Sequence, residues 1–242
     1  MTNVLFAYCG PPALPDELWT RWNLDPLLIV ALAALAFLVS RRAVEPRAGW
    51  GAIALIALVF VSPLCALASA LFSVRVLHHV ILVGAVAPLL AWAFPWRGAA
   101  RVPLAVLVAV HAMVLWLWHA PGPYAWGLAS VPAYWLMQLT LLGSGWLMWR
   151  AILAPAVHSG PALIALAVTI GQMGLLGALI VFATVPLYPA HFASTLAWGF
   201  TPLGDQQLAG LLMWVPAMLP YLATGPWLAW ASLRPSPPKA AL

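Results

Sequence analysis

The chain has 242 residues, of which 65% are hydrophobic and only 6% charged, with a formal net charge of +5. Its mean hydropathy of +1.00 excludes a soluble globular domain of this length and leaves a polytopic membrane protein. The pI near 9.8 comes from basic residues spread over short loops without a cluster, which excludes a nucleic-acid patch and points to anionic lipid.

In chain order, MTNVLFAYCG has no basic leader and too short an apolar run for a cleavable signal peptide. Pro11, Pro12 and Pro15 mark residues 1–24 as an extracytoplasmic tail. Apolar stretches near twenty residues, long enough to cross about 30 Å of hydrocarbon, then fall at roughly 26–40, 50–71, 77–94, 103–118, 131–150, 162–182 and 206–230. The prediction is all-α, a seven-transmembrane-helix bundle over 25–232 with a disordered cytoplasmic tail at 233–242. Eight of the ten basic residues (Arg41, Arg42, Arg47, Arg97, Arg101, Arg150, Arg234 and Lys239) fall on one side. Only Arg21 and Arg75 fall on the other, so the N-terminus is predicted outside and the C-terminus in the cytoplasm.

Eleven tryptophans near predicted span ends, Trp19, Trp22, Trp50, Trp96, Trp116, Trp118, Trp126, Trp149, Trp198, Trp227 and Trp230, read as interface anchors. Cys9 sits in the outer tail and Cys65 in the middle of the second predicted span, so no disulfide is expected between them. Gly171, Gly174 and Gly177 form a small-residue strip for close packing in the sixth span.

The polar groups suited to chemistry gather on the outer side. His78 and His79 open the third span, pointing about 100° apart, so one is expected to face the bundle and the other lipid headgroups or a neighbour. Arg75 shares a face with His79. His119 ends the fourth span before Ala-Pro-Gly-Pro-Tyr124, and His111 lies about 12 Å deeper, where a neutral imidazole needs a partner or a function. His191 is in the sixth loop, and Asp205-Gln206-Gln207 opens the seventh span, where the carboxylate also suits a helix start. Met213 falls at about the depth of His111 and with it makes a soft pair suited to copper. His158 stands alone in a cytoplasmic loop. With no Ser/His/Asp set, no paired carboxylates and no phosphate loop, the chain reads as non-enzymatic, its chemistry limited to metal or haem ligation or proton handling.

Three segments resemble the multi-pass cytochrome c oxidase assembly factor CtaG family. They are His79 through Ala87-Pro88-Leu89-Leu90 to Pro95, Trp118-His119-Ala-Pro-Gly-Pro-Tyr124, and Asp205-Gln206-Gln207-Leu-Ala-Gly-Leu-Leu-Met213-Trp214. The likeness runs over roughly 24–232. It implies help in maturing a haem–copper oxidase in the bacterial cytoplasmic membrane, through copper delivery to its catalytic subunit. The partners it implies are oxidase subunits and the bilayer, with no nucleic acid. The chain departs from the family pattern at three positions where that pattern has imidazoles, Arg75, Tyr134 and Gln138, and has His78 where Gln is common.

On this reading His79 and His119 are the primary metal ligands, with His78, His191 and Asp205 in support. His111 and Met213 form a deeper waypoint, and Arg75, Tyr124, Gln206 and Trp214 stand behind the ligands. The alternatives are a haem- or quinone-binding electron-transfer subunit, with His79 and His119 as axial haem ligands, and a metal-free scaffold for oxidase subunits.

Overall fold

A computed structural model describes residues 8–96, 102–154 and 159–233. Among them there is no strand. The helices are α1 Pro26–Arg42, α2 Pro46–Phe60, α3 Leu64–Ala70, α4 Phe72–Ile81, α5 Ala87–Ala93, α6 Leu104–His119, α7 Pro121–Leu128, α8 Val131–Ile152, α9 Ser159–Phe182, α10 Pro202–Trp214 and α11 Leu219–Leu233. Three starts combine a side-chain cap with an early proline. The Asp25 side chain accepts from Leu27 N–H, Ser130 from Ala133 N–H and Thr201 from Gly204 N–H, while proline occupies a first-turn position whose N–H would be unpaired anyway.

Among the described residues, three helical stretches are long and apolar enough to cross a membrane: Phe72–Ala93, Ser159–Phe182 and Pro202–Trp230. The number becomes five if each bent pair counts as one span, Pro46–Phe60 with Leu64–Ala70 (47°) and Leu104–His119 with Pro121–Leu128 (76°). Each of the seven predicted stretches is helical. However, α1 has only 17 residues, and α8 carries Gln138, Thr140, Ser144 and Arg150 within its apolar run.

The stretch Phe72–Ala93 is continuous through a π turn at Leu82–Val86. Pro88 supplies the cause, since it has no N–H for the Gly84 carbonyl and its ring crowds that turn. Ala87 N–H bonds Leu82 O instead, and the released Val83 carbonyl accepts from Trp149 Nε1 at 3.0 Å. Trp149 is therefore a fully buried core residue. Trp118 is buried too, donating to Thr140 Oγ1 at 2.9 Å. The anchor reading fails for these two, whereas Trp19, Trp22, Trp50, Trp126, Trp227 and Trp230 are exposed as anchors should be.

Helices α9 and α10 touch at Gly177 and Gly210. A Cβ on Gly210 would stand 2.7 Å from Gly177 O and 2.8 Å from Val181 N. Of the predicted glycine strip, Gly177 makes this crossing and Gly174 faces Trp214, but Gly171 faces open space.

The expectation about the cysteines is overturned. Cys9 and Cys65 form a disulfide, with their Cα atoms 5.2 Å apart. The second span breaks at Val61–Pro63, so Cys65 lies in the first turn of a short helix bent 47° from α2 instead of mid-span. The tail folds back to meet it: Asn23 Nδ2 donates to Phe60 O, and Ala13 O accepts from Trp198 Nε1. Tyr8 donates to the Asp25 carboxylate, and burial together with that bond holds its phenol above the usual range. The N-terminal tail is therefore tied to the bundle at Cys9, Ala13 and Asn23. The tail expected at 233–242 lies outside the described residues from 234, as do His158, Arg97, Arg101 and Lys239.

Candidate functional site

Asp205 sets the register of the site. From the first turn of α10 its carboxylate accepts from Phe72 N–H (2.7 Å), Ser73 N–H (3.2 Å) and the Ser73 hydroxyl. It thus caps α4 from another helix, and the N-termini of α4 and α10 lie side by side. Two turns further in, about 11 Å along each axis, come His79 and Met213. The neighbouring Gln206 ties down the loop before α10, accepting from Leu187 N–H and donating to Ile180 O and Val185 O. Asp205 is therefore a helix cap and does not converge with the imidazoles.

His79 and His119 do converge. Nδ1 of His79 lies 3.5 Å from Nε2 of His119, with the rings edge to face at 5.3 Å. His119 Nδ1 donates to the Leu115 carbonyl at 2.8 Å, which leaves its Nε2 lone pair aimed at His79. On the far side of His79, Nε2 accepts from the Gln138 amide at 3.3 Å, and Gln138 Oε1 is buried without a partner among the described residues. A cavity of about 20 Å³ adjoins the pair, lined by His79, His119, Met173, Met213, Leu115 and Tyr221 among others. That volume holds one water-sized particle.

An aromatic layer covers the pair. Tyr188 donates to the His119 carbonyl (2.7 Å) and stacks on Phe72 with ring centres 3.6 Å apart. Tyr124 O–H and His191 Nε2 are 2.6 Å apart. Burial, reinforced by the Arg75 charge, lowers the His191 pKa to about 3, so it is neutral and serves the layer. Burial likewise raises the Tyr188 phenol. The pair is consequently not at an exposed rim: His79 and His119 are each 2% exposed.

Of the two expected directions for His78, lipid headgroups or a neighbour, the structure shows the neighbour. His78 is fully buried, with its ring edge-on to Phe60 (4.6 Å) and both nitrogens unpartnered among the described residues. Arg75 is equally buried, donating to Tyr134 O–H at 3.0 Å, which also lies 3.6 Å from the Cys9 sulfur. It is a core cation and not a surface topology signal. His111 pairs with Ser144 across α6 and α8 at 2.9 Å, and Met213 belongs to the His79–His119 cavity, so the deeper waypoint does not form. Trp214 packs against Phe182 and Gly177.

Among the described residues no three His, Cys, Asp or Glu side chains group as a metal site. Of the five predicted ligands the structure joins two, and it adds thioethers. Met173 was missed, although it stands one turn before Gly177 on the face that meets α10.

A helical membrane protein with a sealed imidazole pair beside two thioethers is the class these features define. The cytochrome c oxidase caa3 assembly factor (Caa3_CtaG) family matches residues 42–234, and the chain belongs to that family. No curated protein and no solved structure matches it.

Proposed function

We propose that this chain is a non-catalytic, seven-span assembly factor of the bacterial cytoplasmic membrane that supplies Cu(I) to a haem–copper oxidase subunit. The His79–His119 pair holds the ion, aided by a thioether from Met213 or Met173. The observation that carries this reading is the directed Nε2 lone pair of His119, facing His79 across 3.5 Å beside the methionine-lined cavity. Two metal–nitrogen bonds of about 2.0 Å across that gap would meet near 120°, which suits a three-coordinate soft ion completed by sulfur. Gln138 completes the design. When the His79 proton moves from Nδ1 to Nε2, a flipped amide offers it the now unpartnered Oε1 and leaves Nδ1 free for the ion.

The same geometry argues against bis-histidine haem. The two rings touch, and a site of about 20 Å³ has no room for a porphyrin. An outside N-terminus agrees with the oxidised Cys9–Cys65 pair, since disulfides persist in oxidising compartments.

Two experiments test the reading. Purified wild-type protein should bind one Cu(I) in competition with a chromogenic chelator, and the His79→Ala/His119→Ala variant should not. Equal binding by both removes the site. A deletion strain should lose oxidase activity and recover it with added copper. Loss without copper rescue favours a metal-free scaffold.

A further inference from the structure

We propose that the groove between α1, α5 and α8 binds one anionic diacyl phospholipid. Its acyl chains would lie along Leu35, Leu38, Leu139 and Leu142, and its phosphodiester would sit between Arg42 and Arg150. The groove holds about 530 Å³ and opens towards the bilayer, where Leu38 and Leu139 are exposed. Its walls are otherwise apolar, and among the described residues the only charged side chains lining it are the two arginines. None of the five carboxylates in the chain does so.

Arginines in the last turns of α1 and α8 also suit the negative ends of those helices, and that alone would not call for a ligand. Two further donors do. Nε of Arg150 and Nε1 of Trp146, both buried, have no acceptor among the described residues. The Arg150 guanidinium is fixed between the Trp96 and Trp146 rings, 4.8 Å from each centre, so it cannot swing away to find one. Donors left unpaired at a membrane boundary carry a desolvation cost that an anionic oxygen cluster removes. A phosphodiester supplies several acceptor oxygens and one negative charge, and its acyl chains suit the leucines that line the groove below the arginines. The three helix ends meeting here, at Arg42, Ala93 and Ile152, share the cytoplasmic side in the topology proposed above, where anionic lipid is concentrated.

The test uses the full-length protein, stripped of lipid in detergent and titrated with phosphatidylglycerol or phosphatidylcholine of identical chains, with retained lipid read by native mass spectrometry. With each basic residue contributing about fivefold, wild type should prefer phosphatidylglycerol by about twenty-five-fold. Arg42→Gln/Arg150→Gln should abolish the preference, while Arg42→Lys/Arg150→Lys, which keeps the charges, should retain most of it. Both variants should bind Cu(I) like wild type, which separates this proposal from the metal site. Equal retention of the two lipids by wild type overturns the proposal. So does a preference that survives the glutamine pair, or an oxidase subunit that shields the groove from lipid.

Discussion

The capping of α4 by Asp205 gives the sharpest energetic prediction. Asp205→Ala leaves the buried first-turn N–H groups of Phe72 and Ser73 without acceptors and removes the partner of the Ser73 hydroxyl. Each orphaned amide costs about 1–3 kcal/mol, so two cost about 4 kcal/mol at mid-range. At about 2–4 °C per kcal/mol for a chain this size, the unfolding midpoint should fall by about 8–16 °C. Asp205→Asn keeps one acceptor oxygen without the charge, and should lose about half as much. Circular dichroism of the detergent-solubilised variants during heating measures both. Because the same contact sets Met213 beside His79, Cu(I) affinity should fall in the same order, alanine below asparagine below wild type. An alanine variant that melts within about 2 °C of wild type would refute the capping argument.

Other substitutions separate packing from ligation. Met213→Leu and Met173→Leu conserve volume and should cost less than about 1.5 kcal/mol in stability, yet chelator competition should show weaker Cu(I) binding for at least one. Gly210→Ala places a methyl against the Val181 side chain and against the backbone of Gly177 and Val181, and the backbone cannot swing aside. It should destabilise by about 1–3 kcal/mol or more, seen as a lower thermal midpoint. His191 is neutral when folded, with its pKa lowered from 6.5 to about 3 by burial and then by Arg75. The unfolded chain therefore takes up the proton first, and stability contributed above pH 6.5 is lost as pH falls towards 3. The limiting slope is about 1.4 kcal/mol per pH unit. His191→Gln should flatten that part of the stability profile relative to wild type.

Composition and span length were enough to read the helical class from the sequence, because apolar run length is a one-dimensional property. The pairing of His79 with His119 was legible as a choice of residues, since both stand in family-like segments near helix ends. Its depth was not. Linear spacing put these imidazoles at a rim, but α7 folds 76° away from α6 and Tyr188 reaches back to the His119 carbonyl, sealing the pair below an aromatic layer. The break at Val61–Pro63 that brings Cys65 to Cys9 was missed for a similar reason: hydropathy runs unbroken across it. Met213 was recognised as a soft group and matched to the wrong histidine, because equal depth on two helices says nothing about which faces meet.

Which faces meet is fixed by three local devices, none of which belongs to the imidazole pair itself. Asp205 fixes the axial register of α10 against α4. Gly177 and Gly210 let α9 approach α10 closely enough for Met173 and Met213 to reach one cavity. The π turn forced by Pro88 begins three residues after His79, and Trp149 from α8 satisfies the carbonyl it releases, pinning α8 and its Gln138 against the same helix. The segments that resemble the family are thus divided in role. His79, His119 and Met213 face the cavity, while Asp205, Gln206 and Pro88 hold the helices that present them. This division explains how the chain can carry Arg75, Tyr134 and Gln138 where imidazoles are expected. Arg75 and Tyr134 satisfy each other in the core, and Gln138 remains in contact with His79, so the scaffold that aligns the pair survives the exchange.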